Sequence, residues 1–485
     1  MRDRILRSIG WLTVRYGVRQ AANTGLFFAF ALLLTPAEFG TGSIAIAACL
    51  LLRQGLERGF RDVVIQRATQ EPALSDTAWW AAAASGVLAA GALFLAAPLL
   101  ARALAQPELT GLLRVCCIVP LVAGLATVQE GRIERAFQQR TLALAQAGAS
   151  LVSCVLGVSM ALGGLGAWAI VLATIVEIFL SALPAFAIAR WRPGLAVERR
   201  ELWRQIRFAW PLMLSALMGG GSFRIAQIAI GAILGPVATA HFRVGMQVHM
   251  LLVQLVCAPV IVTLLPSFSK ARDRIDRHFP DALSFYALIA FPVFLGAGAL
   301  LPALLSGLLG PEWSVAADLA RIFSLIVFTF VATDVLLPAL VAKALPGLAA
   351  FVQVSGVLVG LGLMVLGALS GHGLEGAAWG YVLRALYSVP LSVLLARRCL
   401  GAPRGMTRQR VGPIALSALV MAGGAAGAVL SSQAAGLGWA WAAVAGLASG
   451  VALYTGFLRW GVKHLFPAAY APFRQHAPER LARLL

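Results

Sequence analysis

Long apolar runs separated by short polar connections repeat along the whole chain of 485 residues. A membrane-spanning helix needs about 20 consecutive, mostly apolar residues, and about fourteen runs meet that requirement. The pattern therefore predicts an all-α, polytopic membrane protein. The predicted helices cover residues 8–34, 39–66, 77–101, 108–134, 141–162, 166–190, 204–233, 237–264, 280–307, 314–341, 346–370, 374–398, 411–431 and 437–460.

The connections between these runs alternate in charge. Those that follow odd-numbered helices carry almost no basic residues, as at Gly163-Gly164 and Gly235-Pro236. Those that follow even-numbered helices are rich in arginine, as in residues 190–207 and 397–410. Because basic loops stay in the cytoplasm, both termini are predicted to be cytoplasmic.

The second part of the chain repeats features of the first at an offset of about 200 residues. Pro107-Glu108 opens the fourth helix and Pro311-Glu312 the tenth, while the sixth ends near Ala189 and the twelfth near Ala396. Repeats of this kind are common in transporters. They predict an N-terminal lobe (1–190), a basic cytoplasmic linker (191–203), a C-terminal lobe (204–398), two extra helices (399–460) and a basic cytoplasmic tail (461–485).

Composition agrees with a membrane location. The chain is 60% hydrophobic and 12% charged, with a mean hydropathy of +0.84, whereas soluble domains carry about 25% charged residues. The net charge of +19 follows from the basic loops, and no nucleic-acid-binding motif accompanies it. The cysteines and histidines have no metal-type spacing and no phosphate-binding loop is present, so neither a metal nor another cofactor is expected.

Several charged residues lie inside the apolar runs, where charge is costly and usually faces a cavity or a partner. The basic ones exceed the acidic ones, which suits an anion, and the guanidinium fork matches phosphate best. Alternatives are that Arg19 and Arg243 extend to the membrane surface, and that Glu177 and Arg384 neutralise each other or local neighbours. The candidate phosphate-binding residues are Arg19, Arg53, Arg224, Arg243, Arg321 and Arg384, and the candidate ion-coupling residues are Glu177 and Asp334.

Arg224 lies deep inside its apolar run, too deep to reach the membrane surface easily, and it follows three consecutive glycines, Gly219 to Gly221. Glycine loosens a helix, so one hypothesis is a helix that bends at a wet cavity and presents Arg224 to a ligand. The alternative is that the glycines let a neighbouring helix approach closely and that Arg224 pairs with Glu177 or Asp334.

Seven short motifs in order resemble the polysaccharide transporter family, the polysaccharide-unit flippases of the multidrug/oligosaccharidyl-lipid/polysaccharide exporter (MOP) superfamily. They are PAEFG at 36–40, GFRDVVIQR at 59–67, RWRP at 190–193, IRFAWP at 206–211, LGP at 234–236, LPSFS at 265–269 and LGPEW at 309–313. The resemblance implies two pseudo-symmetric six-helix lobes around a central cavity lined by helices 1, 2, 7 and 8. One departure is His241-Phe242, where the family often has two tyrosines that would contact sugar.

The resemblance also implies a function: flipping an oligosaccharide on undecaprenyl pyrophosphate across the bacterial inner membrane, by alternating access driven by an ion gradient. The flipped units would be used to build an exopolysaccharide, O-antigen or capsule. Further partners would be membrane lipids and the polysaccharide polymerase and export machinery. Alternatives within the superfamily are a lipid II flippase and a multidrug exporter, although the latter should have an acidic cavity. A membrane-bound glycosyltransferase would need a large outer loop or paired carboxylates, and the outer loops here are short.

Overall fold

The computed structural model describes residues 2–66, 72–136, 139–189, 191–194, 197–403 and 405–457. These residues form α-helices with short 3₁₀ and π turns and contain no strand, which confirms the all-α prediction for this part of the chain. The predicted tail at 461–485 lies outside the described residues. The helices are α1 Arg2–Leu33, α2 Pro36–Gln66, α3 Pro72–Ala103, α4 Leu109–Cys116, α5 Ile118–Arg135, α6 Gln139–Leu162, α7 Ala167–Ala189, α8 Arg199–Met218, α9 Ser222–Leu252, α10 Ala258–Lys270, α11 Ile275–Leu309, α12 Ser314–Ser324, α13 Val327–Ala342, α14 Pro346–Gly367, α15 Gly373–Leu383, α16 Ala385–Leu400, α17 Gly412–Ala434 and α18 Trp439–Phe457.

Many of these helices are long and apolar enough to cross a membrane. In the described part of the chain, ten helical stretches qualify, or eleven if the bent pair α12 and α13 counts as one span. One stretch, Ser222–Lys270, has 49 residues and joins two predicted helices, and Pro346–Leu400, with 55 residues, joins two more. The protein is therefore a multi-pass membrane protein, while the number of fourteen crossings stays a prediction.

The joined stretches are interrupted at glycines. In α9 the backbone of Gly235 has φ 85° and ψ −176°, a conformation that only glycine adopts without strain. Gly371, between α14 and α15, has φ 85° as well. These two interruptions fall between predicted helices, whereas the break between α8 and α9 falls inside the predicted helix 204–233, where three consecutive glycines end α8.

Contacts divide the chain into two compact units, Met1–Ala240 and His241–Leu485. The predicted lobes, 1–190 and 204–398, rest on a sequence repeat, which is a different property from packing. The lobes and the linker at 191–203 therefore stay a prediction.

Close helix packing in both units depends on small residues. A Cβ atom at Gly124 of α5 would lie 2.6 Å from the carbonyl oxygen of Ala82 in α3. In the second unit, a Cβ at Gly367 would lie 2.0 Å from the carbonyl oxygen of Gly376. Lipid tails are as apolar as leucine, so association in the membrane relies on such close backbone approach rather than on burial from water.

Large apolar side chains also cover the outside of the helices. Leu88 and Leu95 of α3 are 73% and 77% exposed, and Val262 of α10 and Leu386 of α16 are 73% and 74% exposed. On a soluble protein such surfaces would cause association. On a multi-pass protein they are the faces that contact lipid tails.

A further feature distinguishes helices of the second unit. Among the described residues, π turns occur at Val253–Cys257, Ala368–His372 and Thr407–Val411. All three interrupt or precede a longer α-helix. A π turn has i→i+5 rather than i→i+4 hydrogen bonds and therefore holds one additional residue.

Candidate functional site

Four of the predicted charged residues occupy a similar depth in the first unit. Measured from the helix end beside a sparsely charged connection, Arg19, Arg53, Glu177 and Arg224 lie about 15–26 Å along their helices. The hydrocarbon core of a bilayer is about 30 Å thick. These residues therefore lie within the membrane span, and we call them the charged layer.

Glu177 of α7 is held by three donors from two other helices. Its Oε1 atom accepts hydrogen bonds from Arg19 Nε at 3.1 Å, Asn23 Nδ2 at 3.3 Å and Ser150 Oγ at 3.1 Å. The Glu177 side chain is 13% exposed and that of Arg19 is 29% exposed. Glu177 is thus neutralised by a local neighbour, as one of the sequence alternatives predicted, and Arg19 is committed to a carboxylate.

Two of the three arginines of α2, Arg53 and Arg61, are also paired with carboxylates. Arg53 Nε lies 2.5 Å from Glu57 Oε1, one turn along the same helix. Arg61 makes ion pairs with Glu130 and Glu134 of α5. The second contact, from Arg61 Nη1 to Glu134 Oε1, is 3.5 Å long. Charge on α2 is therefore balanced partly within the helix and partly across to α5.

Arg224 differs because its partner is neutral. Its Nη1 atom donates to Gln54 Oε1 at 2.6 Å, and the Gln54 amide in turn donates to the carbonyl oxygen of Ala216 at 3.3 Å. A guanidinium has five N–H donors, and within the described residues Arg224 makes no ion pair. Its charge and most of its donors therefore remain available to an anionic ligand.

Gln54 is absent from the candidates drawn from the sequence, although a glutamine directly after Arg53 in an apolar run is a usable signal. Asn23, one helical turn after Arg19, and Ser150 on α6 are absent from them as well. All three are neutral polar residues in apolar runs, where a search restricted to charges overlooks them.

The three glycines before Arg224 do two things: they break the helix, and they allow a neighbouring helix to approach closely. The helix is broken there, since α8 ends at Met218 and Gly219 has the non-helical angles φ −75° and ψ −92°. A Cβ atom at Gly220 would lie 2.3 Å from Gln54 Nε2. The break thus starts a new helix two residues before Arg224, and the missing side chain admits the glutamine that holds it.

A tightly packed contact between α2 and α9 lies beyond the charged layer, toward the sparsely charged end of these helices. Gln227, one turn after Arg224, donates to the carbonyl oxygen of Ser43 at 2.7 Å. Further along, a Cβ atom at Gly40 would lie 1.9 Å from the carbonyl oxygen of Pro236. We call this contact the α2–α9 seam, and at these two points the helices touch each other directly.

In the second unit, Asp334 and Arg384 have mainly aromatic surroundings. Asp334 Oδ2 accepts a hydrogen bond from Tyr286 Oη at 2.7 Å. The Arg384 side chain is buried, at 7% exposure, with its guanidinium 4.6 Å from the ring centre of Tyr381 and 5.7 Å from that of Phe330. These are cation–π distances, and among the described residues its Nε atom has no hydrogen-bond partner.

His249 packs against the same aromatic group. Its ring stacks on Phe330 at 5.3 Å and meets the edge of Phe294 at 5.0 Å. The residue is 3% exposed, and neither ring nitrogen has a hydrogen-bond partner among the described residues. An unpaired buried polar group costs about 1–3 kcal/mol.

His241 and Phe242 occupy the place where the related family often has two tyrosines. The His241 ring meets Trp313 at 5.5 Å and the Phe242 ring meets Phe323 at 5.4 Å. Both residues are buried in the second unit. Their rings pack against other aromatic side chains of this unit, which leaves little surface for contact with a sugar.

The remaining predicted arginines have different surroundings. Arg243 is half-buried on α9 and Arg321 is exposed on α12. Arg321 lines a cavity between α11, α12 and α17. Among the residues that the structure describes, no group of three or more His, Cys, Asp or Glu residues could hold a metal ion.

Comparison with known proteins relates this geometry to a family. A family model described as "polysaccharide biosynthesis protein" matches residues 29–318. The succinoglycan biosynthesis transport protein ExoT of Rhizobium meliloti is 22% identical, with 81% of this chain and 80% of that protein covered. The teichuronic acid biosynthesis protein TuaB of Bacillus subtilis is 24% identical, with 68% and 69% covered.

Two solved structures share the fold. The lipid II flippase MurJ in an inward closed conformation has a TM-score of 0.74 at 12% identity, covering 92% of this chain and 99% of that chain. An inward-facing multidrug resistance transporter of the MATE family, in the MOP superfamily, has a TM-score of 0.61 at 15% identity, covering 83% and 99%. At these identities the likeness shows a MurJ- and MATE-like fold.

Proposed function

The chain belongs to the polysaccharide biosynthesis protein family, as a polysaccharide transporter of the MOP superfamily, and from that premise we propose which substrate it moves and how. The substrate is an oligosaccharide repeat unit on undecaprenyl pyrophosphate, flipped across a bacterial inner membrane for an exopolysaccharide, O-antigen or capsule. Relatives named for succinoglycan transport and teichuronic acid biosynthesis support this assignment. The termini are cytoplasmic in this proposal, because the connections on their side are basic.

The observation that carries the proposal is Arg224 with its neutral partner. An arginine at the centre of a membrane helix costs about 2.5–3.5 kcal/mol on insertion scales. Arg19 and Arg53 offset that cost by pairing with glutamates, whereas Arg224 makes one hydrogen bond to Gln54. Its free donors suit the oxygens of a pyrophosphate, which a guanidinium binds in a bidentate manner.

Arg53 is the second phosphate contact in this proposal. It directly precedes Gln54 in α2, so its backbone lies at the same level of the helix as the residue that binds Arg224. The five charged side chains Arg19, Arg53, Glu57, Glu177 and Arg224 include three arginines and two glutamates, which leaves one net positive charge for an anionic ligand. Among the other predicted contacts, Arg243 and Arg384 remain candidates for this role in the second unit.

Transport would occur by alternating access between two lobes around a central cavity. The α2–α9 seam separates the charged layer from the sparsely charged end of the helices, which is the periplasmic end in the proposed orientation. The substrate would enter from the cytoplasmic side and leave after the seam has opened. The seam is therefore the outer gate of the proposed cycle.

Ion coupling is assigned to Glu177 rather than Asp334. Protonation of Glu177 would weaken the acceptor shared by Arg19, Asn23 and Ser150. That change would weaken the hydrogen bonds that link α1, α6 and α7, and it would release the Arg19 guanidinium. Asp334 accepts from Tyr286 alone among the described hydrogen bonds, so its protonation would affect one contact.

A lipid II flippase is the second candidate, because MurJ gives a TM-score of 0.74. The phosphate site proposed here could bind the phosphates of either lipid-linked substrate. The two candidate functions therefore differ in the saccharide that is recognised. Expression in a strain depleted of its lipid II flippase, beside a strain lacking its exopolysaccharide flippase, separates the two. Rescue of growth in the first strain alone would overturn the polysaccharide assignment.

The phosphate site is tested with Arg224→Ala and Arg224→Lys, using polysaccharide export and the melting temperature of purified protein. Arg224→Ala should fold with an unchanged or higher melting temperature and fail to export. Arg224→Lys should keep partial export, because it retains the charge without the bidentate fork. Arg102→Ala, which removes an exposed arginine at the end of α3, is the matched control. An Arg224→Ala protein that melts earlier yet exports normally would show that Arg224 stabilises the fold instead.

A further inference from the structure

A cavity of about 270 Å³, whose lining is mostly apolar, lies in the second unit between α11, α12 and α17. Its polar lining consists of Ser306, Ser314, Asp318, Arg321 and Gln433, and the rest is alanine, valine, leucine and proline. None of these residues belongs to the charged layer. The proposed function does not use this cavity, and the ligand inferred for the cavity is independent of that function.

The cavity contains one cation and one anion that are not paired with each other. Asp318 and Arg321 are three residues apart on α12, which places both on the same face of the helix. Both are exposed, and neither side chain makes an ion pair or hydrogen bond with another described residue. A separated positive and negative charge thus face one small space.

The depth of the cavity matches the headgroup region of a bilayer. Arg321 lies seven residues from the start of α12, about 10 Å along the axis, and helical side chains tilt toward the N-terminal end. Its guanidinium therefore reaches back toward the sparsely charged connection before α12. Next to Ser306, a Cβ atom at Gly307 would lie 2.3 Å from Trp439 Cγ, and tryptophans mark the membrane–water interface.

The rim of the cavity is apolar and exposed. Leu430, which lines the cavity, is 66% exposed, and Leu308 and Val315, close in sequence to the lining residues Ser306 and Ser314, are 56% and 44% exposed. A water-soluble ligand has no acyl chains that could pack against these residues. A lipid would place its headgroup in the cavity and its acyl chains along these residues.

We propose that this cavity binds a zwitterionic phospholipid whose headgroup is a phosphate ester carrying a primary ammonium. Arg321 binds the phosphate as a charge-assisted pair, and Asp318 accepts hydrogen bonds from the ammonium. A choline headgroup lacks the N–H donors that Asp318 needs, and an anionic headgroup without an ammonium leaves Asp318 beside a like charge. The cavity volume of about 270 Å³ is slightly below the range of about 300–1,000 Å³ typical of drug-sized ligands, which suits a lipid headgroup.

The location gives the bound lipid a structural role. The cavity joins α17, in the region predicted as two extra helices, to α11 and α12. A lipid headgroup between them would bridge these elements through polar contacts. Phosphatidylethanolamine should therefore raise the melting temperature of the purified protein more than phosphatidylglycerol or phosphatidylcholine does.

The test is native mass spectrometry of the purified full chain with equimolar phosphatidylethanolamine, phosphatidylglycerol and phosphatidylcholine. The wild type should retain phosphatidylethanolamine about 10-fold over the other two. Arg321→Gln should lower its retention by a similar factor, and Asp318→Asn should abolish its preference over phosphatidylglycerol. Arg102→Gln and Glu108→Gln, which neutralise exposed charges at the connection between α3 and α4, should behave as the wild type.

Equal retention of the three lipids by the wild type, or equal behaviour of Arg321→Gln and Arg102→Gln, would overturn the proposal. If Arg321→Gln fails to fold, the lipid preference of Asp318→Asn decides. A soluble arm with O-phosphoethanolamine and with inorganic phosphate separates the two sources of phosphate. Stabilisation by either solute equal to that by the lipid would show that the occupant is a soluble phosphate and not a membrane lipid.

Discussion

The α2–α9 seam can be opened by a single methyl group. In Gly40→Ala, the new Cβ atom would start 1.9 Å from the carbonyl oxygen of Pro236 and 2.5 Å from its carbonyl carbon. The opposing atoms belong to the backbone and cannot rotate away, so the helices must separate by at least about 1 Å to restore an ordinary contact. Overpacking of this kind costs about 1–3 kcal/mol.

If the seam is closed in one state of the transport cycle and open in another, the whole of that cost falls on the closed state. A difference of about 1–3 kcal/mol changes the ratio of the two states by about 5- to 150-fold. The assay is the rate at which a maleimide labels Ser43→Cys in purified protein, since Ser43 is fully buried in the closed seam. The labelling rate of the same chain without the added cysteine is subtracted as background.

Gly91→Ala is the matched control, because Gly91 is also helical and a Cβ atom there has nothing within 4 Å. Both substitutions gain the same helix propensity, so the difference between them isolates the clash. Ser43→Cys should be labelled at least about 5-fold faster with Gly40→Ala than with Gly91→Ala. Equal labelling rates would refute the seam as the barrier that keeps Ser43 buried.

The remaining predictions concern ion coupling, topology and the buried histidine. Glu177→Gln should lower the melting temperature because Arg19 loses its charged partner, and Arg19→Gln combined with it should restore stability; transport by the stable double variant would exclude Glu177 as the coupling group. Reporter fusions should give a periplasmic signal at Gly310 and a cytoplasmic signal at Lys343, and the reverse result would contradict the proposed orientation. His249→Phe should raise the melting temperature, since it removes unpaired buried nitrogens from an aromatic cage, and a lower value would reveal a polar partner of the imidazole.

The sequence predicts the helices well because about 20 apolar residues in a row have few alternatives in a membrane. It also places the interruption at Gly235, because glycine followed by proline breaks a helix. The sequence does not predict which buried side chains pair with each other. Arg19 and Glu177 are 158 residues apart, and Gln54 and Arg224 are 170 apart. Such pairs depend on how helices turn about their axes, which apolar periodicity defines poorly when all faces are apolar.

The unequal distribution of π turns has a consequence for how relatives of this chain vary in length. Loss of one residue from an ordinary α-helix rotates everything beyond it by about 100° and moves its buried face outward. The same loss within Val253–Cys257 can be absorbed by converting the π turn to an α turn, which leaves the faces on both sides in place. An alignment gap inside a helix is therefore expected at Val253–Cys257, which joins α9 directly to α10, and a single-residue deletion there should still give folded protein that supports export.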